Sequence, residues 1–165
     1  MNSGDLLISN RDGAFEVTVS GRANFEYAVP LRDIARKPEM IRSIKIDLSA
    51  CQAMDSTFMG VLTMLSVALR RTQITVELCN ASEHLVASLR GLGVQKLFKF
   101  TTANLTPENA GAATGKAVSQ LDLAETVAEA HKELAAENSA NAEKFAAVIQ
   151  YAEEDVKKLR SGGKN

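Results

Sequence analysis

Cysteine and histidine are scarce in this chain of 165 residues, which contains two of each. Cys51 and Cys79 are too few and too far apart in sequence for a disulfide framework or a zinc site, so we interpret both as small buried hydrophobic residues. His84 and His131 do not have the spacing of metal ligands, and we interpret them as packing or surface residues. No Gly-rich phosphate loop of the Walker or dinucleotide type occurs. The sequence therefore predicts no metal, no cofactor and no catalytic site.

A charge excess of one sign and a long hydrophobic run are also missing. The chain has 19 basic and 20 acidic residues and a formal net charge of -1, so it lacks the basic surface that nucleic acid requires. No apolar run approaches the roughly 20 residues that cross a bilayer. The N-terminus does not have the basic-then-apolar order of a signal peptide. We therefore expect a cytoplasmic protein that neither binds nucleic acid nor inserts directly into a membrane.

The first hundred residues alternate between strand and helix patterns. Apolar residues at period 2 predict five strands, at positions 6–8, 14–20, 43–48, 74–78 and 96–100. Helical spacing predicts helices at about 27–36, with Pro30 in the first turn, at 56–69 and from 82 to about 91, with a loop at 49–54. Asp55, Ser56 and Thr57 are residue types that cap helices, so a helix begins near Ser56. This order predicts an α/β fold with a mixed sheet of four to five strands and packed helices.

The C-terminal part of the sequence has a different pattern. Residues 101–117 are rich in Thr, Asn, Ala and Gly and are predicted to be a linker. Two apolar stripes around a turn at 137–141 predict a helical hairpin over 118–160, followed by a flexible tail at 161–165. Each of these helices has one apolar face that must be buried. They could pack on the first domain, form a homodimer or bind a dedicated partner, and we expect packing on the first domain.

One segment, residues 46–62, carries a recognisable motif. A strand ends in Asp47-Leu48-Ser49, and a loop then leads to Asp55-Ser56-Thr57 at a helix start. This pattern resembles the signature of the STAS domain family, the fold of anti-sigma-factor antagonists and of domains in sulfate transporters. The resemblance extends to Gly21 after the second strand and to the stretches 76–80 and 89–98. It covers about residues 6–100, so residues 1–100 are predicted to form a STAS domain.

The resemblance implies a regulatory role without catalysis. In this family, the serine after the aspartate is phosphorylated by an anti-sigma factor that is also a serine kinase, and a PP2C-type phosphatase removes the phosphate. The unmodified antagonist binds the anti-sigma factor and thereby frees the sigma factor. The serine corresponds to Ser56, and the predicted partner-binding residues are Asp55, Thr57, Phe58, Met59 and Asn24. Phe58 and Met59 replace the usual Gly-Leu of the family, and Asn24 replaces an aspartate that many antagonists have.

Other interpretations of the same residues are open. Asp55, Ser56 and Thr57 could serve only as a helix cap, although a cap and a phosphorylation site are compatible. Thr57 could be a second phosphate acceptor or a capping residue. Phe58 and Met59 could be core residues of the helix instead of exposed partner contacts. The protein could also be a non-phosphorylated STAS scaffold subunit of a stress-signalling or membrane lipid-transport complex, and an enzyme is the interpretation with the least support.

Overall fold

Strands and helices alternate along the described residues, 5–105, 111–112 and 118–162, of the computed structural model. The strands are β1 (Leu6–Arg11), β2 (Ala14–Ala23), β3 (Ser43–Met54), β4 (Glu77–Cys79), β5 (Lys99–Thr101) and β6 (Gly111–Ala112). The α-helices are α1 (Phe25–Ala35), α2 (Ser56–Leu69), α3 (Glu83–Gly91), α4 (Gln120–Glu137), α5 (Ser139–Lys144) and α6 (Ala146–Gly162).

The strands form one mixed sheet in the order β5-β4-β3-β2-β1-β6. The pairs β2–β3, β3–β4 and β4–β5 are parallel, whereas β1 is antiparallel to both β2 and β6. The first two strands are joined by a tight turn in which Asp12 and Gly13 have φ values of 51° and 93°. Asn10 closes this turn, because its side-chain oxygen accepts from the Gly13 amide at 2.8 Å. The predicted α/β fold with a mixed sheet and packed helices is confirmed.

The sheet extends further than the sequence pattern indicated. β3 continues to Met54 instead of ending at residue 48, so the predicted loop at 49–54 is wrong. The extra length is paired with β2 across two register shifts, and the last pair is Ala23 with Met54. β6 lies within the stretch predicted to be a linker, while residues 106–110 and 113–117 of that stretch lie outside the described residues. Because β2 and β3 end side by side, the helices α1 and α2 begin next to each other.

Capping residues determine where these two helices begin. Asn24 precedes α1, and its side-chain oxygen accepts from the amide of Glu26 at 2.9 Å. The helix therefore starts at Phe25, which places Pro30 inside the helix and not in its first turn as expected. Helix α2 begins at Ser56, as predicted from its capping residues. The residues that come directly after the two strands thus initiate the two helices at the same edge of the sheet.

The hydrophobic core lies between one face of the sheet and the helices. Alternate residues of β2 and β3 are buried there, namely Phe15, Val17, Val19, Ile44, Ile46 and Leu48. Helix α2 contributes apolar residues on several sides, including Phe58, Val61, Leu62, Leu65 and Leu69, each 0 % exposed. A helix that is apolar around most of its circumference must be covered on more than its sheet-facing side.

The C-terminal helices supply that second cover. Helix α4 packs mainly against α6 and α2, and it also contacts α1. Between α4 and α6, the short helix α5 replaces the predicted turn, because Asn138 caps it by accepting from the amide of Ala140 at 3.0 Å. Helix α6 continues to Gly162, and residues 163–165 of the predicted tail lie outside the described residues. Of the three arrangements that the sequence left open, the structure contains packing on the first domain.

Candidate functional site

The Asp55-Ser56-Thr57 segment forms the junction between β3 and α2. The backbone amide of Asp55 donates to the carbonyl of Ala23 at 3.0 Å, which ties the junction to the end of β2. The Asp55 side chain is the N-cap of α2 and accepts from the amide of Phe58 at 2.8 Å. Burial raises the pKa of Asp55 above its ordinary value, and the amide donors oppose that rise. Asp55 therefore holds the helix start that presents Ser56.

Ser56 is half-buried, and its hydroxyl contacts the C-terminal helices. Its Oγ lies 2.8 Å from Nε2 of His131 on α4. The other ring nitrogen, Nδ1, lies 2.7 Å from the carbonyl oxygen of Val127, which can only accept a hydrogen bond. The proton of a neutral imidazole is therefore on Nδ1, and Nε2 accepts from the Ser56 hydroxyl.

The surroundings of His131 favour this neutral form. Its side chain is 2 % exposed, and its ring meets the ring of Phe145 edge-on at 4.8 Å between centroids. Burial lowers the pKa of His131 below its ordinary value, although the bond to Val127 and the charge of Asp55 act in the opposite direction. The interpretation of His131 as a packing residue agrees with its burial, but it did not include the hydrogen bond to Ser56. His84, the other histidine, is exposed on α3.

Three of the predicted partner-binding residues are not on the surface. Thr57, Phe58 and Met59 are 5 %, 0 % and 7 % exposed, so the interpretation of Phe58 and Met59 as exposed contacts is wrong for this structure. Both belong to the hydrophobic core, which was the alternative interpretation. The reason is that α2 packs against both α1 and α4, and its apolar residues join the same core as those of β2 and β3. Asp55, Ser56 and Asn24 are half-buried and lie together at the end of β2 and β3.

A group of charged residues joins α4 to α1. Arg32 is 2 % exposed, and its guanidinium donates to the hydroxyl of Thr126 at 2.8 Å and to the carbonyl of Asp122 at 3.0 Å. The hydrogen bond from Arg32 lowers the pKa of Asp122 below its ordinary value. One turn later, Arg36 pairs with Glu129 at 2.7 Å. The basic residues belong to the first domain and the acidic ones to α4, so the two surfaces are complementary in charge.

An open apolar groove of about 650 Å³ lies between α4 and α6, next to the start of α1. Three large hydrophobic residues that line it are exposed, and they are Phe25 at 40 %, Val148 at 38 % and Tyr151 at 68 %. The same groove is bordered by Val127, whose carbonyl binds His131. The groove therefore reaches the neighbourhood of the Ser56–His131 contact.

The chemistry available at this junction is limited. A serine hydrogen-bonded to a neutral histidine resembles a nucleophile with its base. However, the Phe58 amide, which could stabilise an oxyanion, already donates to Asp55. Among the described residues, no group of three or more potential metal ligands is present, and both cysteines are buried, free thiols. What the structure places at the start of α2 is a half-buried hydroxyl that is hydrogen-bonded to His131.

None of the described helices is sufficiently long and apolar to span a lipid bilayer. No curated protein matches the chain. Several solved structures are similar to it, two of them as follows. The first is the anti-sigma factor antagonist SpoIIAA in its unphosphorylated form, with 14 % identity, a TM-score of 0.48, and coverage of 60 % of this chain and 87 % of that one. The second is a putative anti-sigma factor antagonist from Thermotoga maritima, with 16 % identity, a TM-score of 0.46, and coverage of 58 % and 85 %.

The comparison with family models covers most of the first domain. The STAS domain model matches residues 8–108, which is more than half of the 165 residues. The match includes β1 to β5 in large part and the entire β3–α2 junction, and it ends before α4 begins at Gln120. Over this stretch, the order of strands and helices is the one that the sequence pattern predicted. The chain therefore belongs to the STAS domain family.

Proposed function

We propose that this protein is an anti-sigma-factor antagonist-like regulator in a partner-switching pathway, controlled by reversible phosphorylation of Ser56. The observation that carries the proposal is the position of Ser56 as the first residue of α2, directly after the capping Asp55, within the matched STAS domain. Its partners would be an anti-sigma factor that is also a serine kinase and a PP2C-type phosphatase. The protein would act in the cytoplasm, by binding and without catalysis of its own.

The helix start is physically suited to such a modification. Backbone amides and the positive end of the helix dipole favour a phosphate at this position. A phosphoserine adds about -1.5 to -2 charges at neutral pH. Because Asp55 already places a carboxylate beside Ser56, the modified junction would present a strongly negative surface. A partner that docks on the unmodified junction through acidic groups would then be repelled.

Phosphosite mapping of the protein purified from its own cells tests this proposal. We expect phosphate on Ser56, and we expect the Ser56→Ala variant to lose it. Ser49 supplies a matched control, because it is an exposed serine on β3, away from the helix start. Ser49→Ala should leave the labelling unchanged. Absence of phosphate on Ser56 in all growth conditions that are tested, together with equal partner capture by wild type and Ser56→Asp, would contradict the proposal.

A second candidate function is a non-phosphorylated STAS scaffold subunit of a stress-signalling or membrane lipid-transport complex. The observation that favours it is the exposed apolar groove between α4 and α6, since exposed apolar patches commonly mark assembly surfaces. Native mass spectrometry of the purified complex distinguishes the two. A stable large assembly without phosphate on Ser56 supports the scaffold, and a partner that dissociates when Ser56 is phosphorylated supports the switch.

A further inference from the structure

Helix α4 lies on the surface beside Ser56, and its backbone approaches the backbone of α2 closely. A Cβ atom built on Gly60 would lie 2.5 Å from the carbonyl oxygen of Ala130 and 2.7 Å from its carbonyl carbon. Gly60 is therefore a position where the backbones of α2 and α4 are in contact and where no side chain fits. One turn earlier on α2, the Ser56 hydroxyl donates to His131, which follows Ala130 on α4. Both contacts place α4 directly over the start of α2.

The attachment of α4 combines charge pairing with an apolar contact on α2. Arg32 of α1 and Arg36, which caps the end of α1, pair with acidic residues of α4, as described above. Arg70 after α2 pairs with Glu137 at 3.5 Å. Leu134 is fully buried at the same interface. Buried polar side chains such as Arg32 can be hydrated when an interface separates, so this cover is easier to release than a purely apolar one.

Phosphate on Ser56 conflicts with this arrangement. The kinase would transfer the γ-phosphoryl group of ATP to Oγ, so an O–P bond forms, ADP leaves and the hydroxyl proton goes to solvent. The phosphoester cannot donate to Nε2 of His131, and a tetrahedral group does not fit within a separation of 2.8 Å. Loss of the hydrogen bond and lack of space therefore act in the same direction.

We propose that α4 is an internal ligand of the Ser56 surface, formed by Ser56, Gly60, Arg32 and Arg36, and that phosphate on Ser56 expels it. Helix α4 and a partner that binds at Ser56 then compete for the same surface, so both cannot occupy it at once. The step that involves a kinase rests on the function proposed above. The proposal that α4 covers the Ser56 surface depends only on the contacts of α4, and it can be tested without a kinase.

Hydrogen exchange measured by mass spectrometry on the full chain tests the cover. Gly60→Ala places a methyl group against the Ala130 backbone, while alanine is otherwise favoured in a helix. We expect amide exchange in α4 to rise by about tenfold or more, while β3 remains protected. Gly91→Ala is the matched control, because a Cβ on this helical glycine meets nothing within 4 Å, and it should leave exchange in α4 unchanged.

The phosphorylation step is tested by incorporating phosphoserine at position 56 by codon suppression, with phosphoserine at position 49 as control. Faster exchange in α4 only in the first protein supports the proposal. Unchanged or slower exchange in α4, as would follow if a protonated His131 bound the phosphate, overturns it. Equal loss of protection in β3 and α4 of the Gly60→Ala variant also overturns it, because α4 would then be inseparable from the fold. If Ser56 carries no phosphate in cells, the proposed function fails. The exchange measurements still show whether α4 is a separable cover of the Ser56 surface.

Discussion

The hydrogen bond between Ser56 and His131 allows a quantitative test by a double-mutant cycle. Ser56→Ala leaves Nε2 of a side chain that is 2 % exposed without its donor, which costs about 1–3 kcal/mol of unfolding free energy. His131→Ala removes the same bond and also the ring that packs on Phe145, so its cost is larger. The cavity contribution cancels in the cycle, and a coupling energy of about 1 kcal/mol should remain.

Urea denaturation followed by far-UV circular dichroism measures the four free energies, with the m-values compared to confirm that the denatured states are equivalent. Ser66→Ala provides the control, because Ser66 also lies on α2 but its hydroxyl donates to the carbonyl of Leu97 at 2.9 Å. The cycle of Ser66→Ala with His131→Ala should be additive to within about 0.5 kcal/mol. A coupling energy of less than about 0.3 kcal/mol between Ser56 and His131 would refute the assigned contact.

Three further predictions concern stability and pH, all measured by urea denaturation. Phe58→Ala should lower the unfolding free energy by about 3–5 kcal/mol, because the ring is fully buried. A loss below about 1 kcal/mol would indicate that the Phe58 side chain is exposed. Arg32→Met should lower the unfolding free energy by about 2–3 kcal/mol, since the buried guanidinium binds Thr126 and a backbone carbonyl. Arg36→Met should lower it by less than about 1 kcal/mol, because the Arg36 side chain is 43 % exposed. Equal losses for the two variants would contradict this prediction. Because the pKa of His131 is lowered in the folded protein, the unfolded chain binds the proton more readily. Acidification below pH about 6.5 should therefore destabilise the wild type by up to about 1.4 kcal/mol per pH unit more than the His131→Gln variant. Parallel pH profiles of the two proteins would argue against a buried neutral imidazole.

The elements of the first domain were predictable because local chemistry specifies them. Period-2 apolar spacing in β2 and β3 reflects a sheet with one buried face, and capping side chains mark the start of α2. The same logic applied to Asn24 would have started α1 at Phe25, since asparagine is a strong capping residue. The extension of β3 to Met54 was not predictable in this way, because it depends on pairing with β2 across register shifts.

The part of the site that involves α4 had no sequence signal. Ser56 and His131 are 75 positions apart, and neither the spacing nor the neighbours of His131 indicate a serine partner. The missing side chain of Gly60 accommodates the backbone of Ala130 on α4, and nothing in the sequence around Gly60 indicates that helix. Apolar stripes show that a helix face is buried, and they do not specify which surface buries it.

Because α4 and the surface that it covers are parts of the same chain, their association is independent of protein concentration. A tethered segment of this kind acts at an effective concentration on the order of millimolar. An outside ligand for the same surface binds only the fraction of molecules that is open, so its apparent affinity falls by that fraction. Substitutions in α4 would therefore adjust the amount of partner needed for half-occupancy, while the residues that touch the partner stay the same.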